Sequence, residues 1–176
     1  MRTLLILRHA KAVGPSPDGD FARGLAPRGR RNAKQFGEWL AATSFAPELA
    51  LVSPARRTME TADGVFAAFP SKATRRTPPG LYNAEATDIL AEVRAVSDDI
   101  RTLIVIGHNP GVAELAVGLT GSGDAAARSA MSEGFPTCAC VVLQFDTTAW
   151  QSTLPGAGAL LAYVTPSRLD GREADD

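Results

Sequence analysis

The chain has 176 residues, 45% of them hydrophobic and 21% charged, which fits one globular domain with an ordinary core. Lys and Arg number 18 against 19 Asp and Glu, so no global field favours nucleic acid or an anionic membrane, and any anion site must be local. The first apolar run, Leu4 to Leu7, is too short for a signal core or a membrane span, and the protein reads as cytoplasmic, a monomer or weak homo-oligomer.

In chain order, Thr3 to Leu7 reads as a strand buried on both faces, because Leu and Ile follow one another without polar alternation. Arg8 and His9 end it. A polar, Gly-rich stretch from Gly14 to Gly24 is long for a connection and suits a segment covering an active site. A helix follows, with Ala33, Phe36, Trp39 and Leu40 on one stripe. Leu49 to Val52 is the second strand. Ser53-Pro54 then suggests an N-cap with proline at the first helical position, ahead of a stripe of Met59, Ala62, Phe66 and Phe69. Leu103 to Ile106 forms a third strand ending at His108, and Asn109-Pro110 repeats the cap before Val112, Leu115, Ala116 and Leu119.

Gly121 to Gly134 reads as a second long loop. Thr137 to Phe145 and Ala159 to Val164 supply two later strands, with Cys138 and Cys140 on one face of the first as buried free thiols, the alternative being a redox or metal-binding pair. Ser167 to Asp176 is charged and expected to fray. Strand, turn and helix in alternation predict a three-layer α/β/α sandwich with a mainly parallel central sheet, one domain over residues 1–166 followed by the tail over 167–176.

The two histidines of the chain both fall at predicted strand ends, where open α/β sheets bind ligands. Arg56 and Arg57 lie in the first turn of the second helix, where a cation opposes the helix dipole and an anionic ligand would relieve the conflict. Guanidinium groups converging on two imidazoles describe a phosphate or carboxylate site. Two histidines without a nearby acidic cluster make a poor metal site, and neither a metal nor another cofactor is expected.

These residues carry a resemblance. Leu5-Ile6-Leu7-Arg8-His9-Ala10-Lys11 resembles the Arg-His-Gly signature of the histidine phosphatase superfamily, in the Arg-His-Ala form of its small bacterial members. Ser53-Pro54-Ala55-Arg56-Arg57-Thr58 resembles the second arginine segment, and Ile106-Gly107-His108-Asn109-Pro110 the second histidine segment. Leu25-Ala26-Pro27-Arg28-Gly29 is similar to the start of the family's first helix. Phe135-Pro136-Thr137 and Thr165-Pro166 resemble the short SixA-type phosphohistidine phosphatases.

The resemblance implies a phosphoglycerate mutase-like fold in which His9 is phosphorylated, Arg8 and Arg57 clamp phosphoryl oxygens, His108 contacts the same group, and Arg56 faces outward. Arg23 resembles the arginine ahead of the first helix and is a candidate for binding substrate, as is Asn109, although a surface arginine is an equal reading. Lys11 either adds positive potential at the pocket mouth or is solvated. Glu85 lies where the mutase branch places its general acid; the other reading is a solvated glutamate at a helix start. The implied substrate is a phosphorylated protein carrying phosphohistidine. The alternatives are a small phosphate ester, or a binding module that keeps the pocket without turnover. A nucleotide-binding fold would need a Gly-rich loop after the first strand, and none follows it.

Overall fold

The computed structural model describes residues 1–69 and 73–171. Its strands are β1 (Arg2–Arg8), β2 (Leu49–Val52), β3 (Thr74–Arg76), β4 (Thr102–Gly107), β5 (Thr120–Gly123), β6 (Cys140–Phe145) and β7 (Gly158–Val164), in the order β3-β2-β4-β1-β6-β7-β5. β3, β2, β4 and β1 run parallel, β6 is antiparallel to both β1 and β7, and β5 is parallel to β7.

The centre of the sheet follows from β1. Leu4, Leu5, Ile6 and Leu7 are each 0% exposed, and full burial of such a side chain contributes roughly 1.5–3 kcal/mol. Alternation sends Leu4 and Ile6 to one face, where they meet Ile89 and Val93 of α3 (Ala86–Arg94) and Val112 and Leu115 of α4 (Gly111–Leu119). Leu5 and Leu7 point the other way, into Phe36 and Leu40 of α1 (Pro27–Ala41) and Val65 and Phe66 of α2 (Arg56–Phe66). Two helical layers around one sheet are the expected sandwich, which places the ends of β1, β2 and β4 side by side.

Several expectations are corrected. Ser53 does not cap α2: Ala55 stands at the N-cap without a side-chain cap bond, and the Ser53 hydroxyl lies 2.7 Å from His108 Nε2. The buried imidazole takes that partner, while the Arg56 N–H at the start of α2 is met by the Phe21 carbonyl. Asn109 does not cap α4 either. Pro110 is at the N-cap, after a cis Asn109-Pro110 peptide, and the Asn109 amide donates to the Phe135 carbonyl.

The second long loop contains β5 and α5 (Ala125–Glu133), the latter capped by the Asp124 carboxylate, which accepts from the Ala127 N–H at 2.8 Å. Cys138 precedes β6 with φ 63, so it does not share a strand face with Cys140, though both are buried free thiols. The first residues after 166 do not fray: Pro166–Leu169 forms α6, where the Thr165 hydroxyl accepts from the Arg168 N–H. Residues 172–176 of the expected tail lie outside the described residues.

Candidate active site

Parallel pairing of β1 with β4 aligns Arg8 with Gly107, and pairing of β2 with β4 aligns Val52 with Ile106. Ser53, His108 and His9 therefore leave three adjacent strand ends. The His9 N–H donates to the Gly107 carbonyl and the Ser53 N–H to the Ile106 carbonyl, both at 3.0 Å. The two imidazole centroids are 5.3 Å apart.

His9 Nδ1 is 2.8 Å from the Ala10 carbonyl. A carbonyl can only accept, so Nδ1 carries the proton and Nε2 the lone pair. His108 takes the other tautomer. Its Nδ1 faces Arg57 Nη2 at 3.2 Å, a group that can only donate, and its Nε2–H is left to donate to Ser53 Oγ. Burial, first, and then Arg57, Arg8 and Arg23 pull His9 down to about 4, against the opposing bond to Ala10. Burial and then Arg57 bring His108 down to about 3. For both imidazoles desolvation contributes more than the guanidinium groups do.

Arg57 turns inward, with 6% of its side chain exposed. Arg56 turns outward, 61% exposed, and pairs with Glu60 at 2.7 Å. Its backbone N–H is taken by the Phe21 carbonyl, so the first amide of α2 does not face an open anion site. The Arg57 guanidinium meets Asp20 twice, Nη1 donating to the backbone carbonyl at 2.8 Å and Nη2 to the carboxylate at 3.0 Å. Asp20 also accepts from Arg23 Nη1 at 2.7 Å and from the Tyr82 hydroxyl at 2.8 Å. The Tyr82 bond, followed by the two arginines, holds this carboxyl down to about 2 against its partial burial.

Arg8 Nη1 and the Asn109 amide both donate to the Phe135 carbonyl at 2.9 Å. Arg8 Nε and Asn109 Oδ1 are buried without a hydrogen-bond partner among the described residues, two polar atoms that a ligand could satisfy. Thr61 Oγ1 accepts from the Ala10 N–H and donates to the Arg57 carbonyl, tying the exit of β1 to α2. The Tyr82 ring stands edge-on to His108 at 5.7 Å, with Phe21 against its other side at 5.0 Å. Just beyond Tyr82 the backbone packs against the start of α4, where a Cβ on Gly111 would lie 2.0 Å from the Ala84 carbonyl.

The fold thus gathers Arg8, His9, Arg23, Arg57, His108 and Asn109 at one edge of the sheet. Glu85 is not joined to them: it is exposed at the N-cap of α3, and its side chain makes no hydrogen bond or ion pair with a described residue. Lys11 is exposed beside the same edge. Sequence reasoning missed Asp20 and Tyr82 and misread Ser53 as a cap. The local signal for Asp20 is its place three residues before Arg23 in a long connection; Tyr82 has none.

Residues 4–81 match the histidine phosphatase superfamily (branch 1). An uncharacterized protein of Mycobacterium tuberculosis is 36% identical over 162 residues, which cover 91% of this chain and 99% of that protein. The structure of a candidate phosphohistidine phosphatase SixA from Nakamurella multipartitia superposes with a TM-score of 0.81 at 30% identity, covering 94% of this chain and 96% of that one. A second, from Agrobacterium tumefaciens, gives 0.79 at 26% identity, covering 94% and 98%. The chain belongs to the histidine phosphatase superfamily, and its fold is the phosphoglycerate mutase-like fold of the SixA structures. No helix among the described residues is long and apolar enough to cross a membrane.

Proposed function

We propose that the chain is a phosphatase that removes the phosphoryl group from phosphohistidine in a protein, with His9 as the transient acceptor. The observation that carries this reading is the fixed tautomer of His9: the Ala10 carbonyl holds the proton on Nδ1 and leaves the Nε2 lone pair among Arg8, Arg57 and His108. A neutral imidazole is a competent nucleophile near pH 7.

In the first step Nε2 forms a bond to phosphorus while the substrate P–N bond breaks, and the substrate imidazole leaves with a proton from solvent. Water then forms the new P–O bond as the bond to His9 breaks, its proton passing to solvent and inorganic phosphate departing. Arg8, Arg57 and the orphaned Arg8 Nε supply donors for the equatorial oxygens, where charge develops. An imidazole leaving group reduces the need for a strong acid, which agrees with the exposed, unattached Glu85. Arg23 and Asn109 border the pocket as binding groups. The relatives named for phosphohistidine phosphatase activity support the choice of substrate.

The test compares a phosphohistidine protein with a sugar phosphate and an aryl phosphate as sources of inorganic phosphate. Preference for the protein by kcat/KM is expected, with covalent labelling from a radioactive donor that disappears in His9→Ala. Faster turnover of the sugar phosphate would make the chain a small-molecule phosphomonoesterase. Binding of phosphate esters without sustained release would make it a binding module.

A further inference from the structure

The sheet edge that carries His9 also carries a groove on the α1 side. Leu7 of β1 pairs with Cys140 of β6, and Cys140 pairs with Val164 of β7. The chain therefore leaves β1 toward Lys11, enters β6 from Thr137, and leaves β7 at Pro166, all at the same edge. The start of α1 is pressed against this edge. The Ala26 N–H donates to the Lys11 carbonyl at 2.9 Å, and a Cβ on Gly29 would lie 2.1 Å from that oxygen. Only glycine permits so close an approach, and it brings Arg28 beside Lys11.

Lys11, Arg28, Thr137 and Ser167 line one cavity of about 180 Å³. Arg28 and Asn32 also line the adjoining cavity of about 450 Å³, together with Arg31, Gln35 and Asp170. The two form one groove, opening two residues past His9.

Its charge is unbalanced. Lys11, Arg28 and Arg31 are exposed, and none forms an ion pair or side-chain hydrogen bond with a described residue. Neighbouring cations on α1 and α2 are neutralised locally, Arg30 and Arg56 by Glu60 and Lys34 by Glu38. The acidic residue on the groove wall, Asp170, accepts from Gln35 at 2.9 Å. In a chain of net charge -1, Lys11, Arg28 and Arg31 outnumber Asp170 among the described residues that line the groove, which leaves a local positive field.

We propose that this groove docks an acidic polypeptide segment flanking the phosphohistidine of the protein substrate. The inference rests on the phosphohistidine reading above. A residue seated at His9 places its chain neighbours within reach of Lys11 and then Arg28 and Arg31, where carboxylates replace the missing counter-charges. Such complementarity selects partners and accelerates encounter, and salt weakens it.

Synthetic peptides with a single phosphohistidine, generated with phosphoramidate, provide the probe: one with Asp and Glu flanks, one with neutral flanks, and an aryl phosphate as the control. Wild type should show a KM at least about tenfold lower for the acidic peptide. The advantage should vanish in the double variant Arg28→Glu, Arg31→Glu and shrink as salt rises, while aryl phosphate turnover stays within about twofold, which also reports that the variant folds. Hydrolysis of both peptides with equal KM, or an advantage that survives in the variant, overturns the docking site and leaves the proposed activity standing. Cleavage of aryl phosphate with no phosphohistidine peptide hydrolysed overturns that activity, and the docking site falls with it.

Discussion

Lowering the pH tests the environment of His9 most directly. An imidazole with its ordinary value of 6.5 would be only about 3% neutral at pH 5, whereas one brought down to about 4 remains about nine-tenths neutral. If the neutral form is the nucleophile, the step that phosphorylates His9 should lose only about a tenth of its rate between pH 7 and pH 5, instead of falling about 25-fold. The chain's two histidines give two imidazole Cε1–H resonances, so proton NMR can follow both without crowding. Midpoints below 5 are expected for each, together with phosphate release from an aryl ester that persists at pH 5. The same shift bears on stability. Because the folded value is lowered, the unfolded chain binds more protons between about 4 and 6.5, so stability is complete above 6.5 and is lost as the pH falls through that window. At about 1.4 kcal/mol for each tenfold in proton affinity, His9 alone accounts for on the order of 3 kcal/mol, visible as a falling urea midpoint. A resonance titrating near 6.5, or a urea midpoint flat from pH 7 to 4.5, would refute the reasoning.

Arg57→Ala should lower kcat/KM by on the order of a hundredfold, as loss of one charge-stabilising donor does, while Arg56→Ala stays within about threefold in the same phosphate-release assay. Asp20→Asn weakens the hold on Arg57 and Arg23; KM for phosphorylated substrate should change by roughly tenfold or less, and the His108 resonance should titrate lower still, because the Asp20 charge opposes its depression. Gly29→Ala drives a Cβ into the Lys11 carbonyl and should cost about 1–3 kcal/mol in urea unfolding.

The parts legible in the sequence were those whose signal is local. β1, β2 and β4 are continuous apolar runs because both faces are covered, and His9 and His108 are conspicuous as polar residues directly after two of them. β5 was hidden because Thr120-Gly121-Ser122-Gly123 has no apolar residue and is held by pairing with β7 alone. α5 was hidden for a related reason: only Met131 of its nine residues is buried, so it lacks a stripe. Asp20 offers only its spacing to Arg23 as a local signal, since its other partners Arg57 and Tyr82 stand 37 and 62 positions away. Ser53 satisfied a local capping rule, and a tertiary contact with His108 overrode it.

The balance of charge at the sheet edge gives these contacts a common physical sense. Desolvation and the surrounding guanidinium groups keep both imidazoles uncharged near neutrality, with His9 down to about 4 and His108 down to about 3. Arg8, Arg23 and Arg57 bring three positive charges, and the Asp20 carboxylate, held down to about 2, returns one negative charge. The excess of two positive charges is the complement of a phosphoryl dianion. In the proposed reaction a protonated His9 would raise that excess but remove the lone pair, so neutrality of the proposed nucleophile and attraction for the anion must come from different groups. Burial on the rigid ends of β1 and β4 supplies the first, while arginines fastened by the loop carboxylate Asp20 supply the second. Changes in that loop should therefore alter how the anion is held before they alter the protonation of His9.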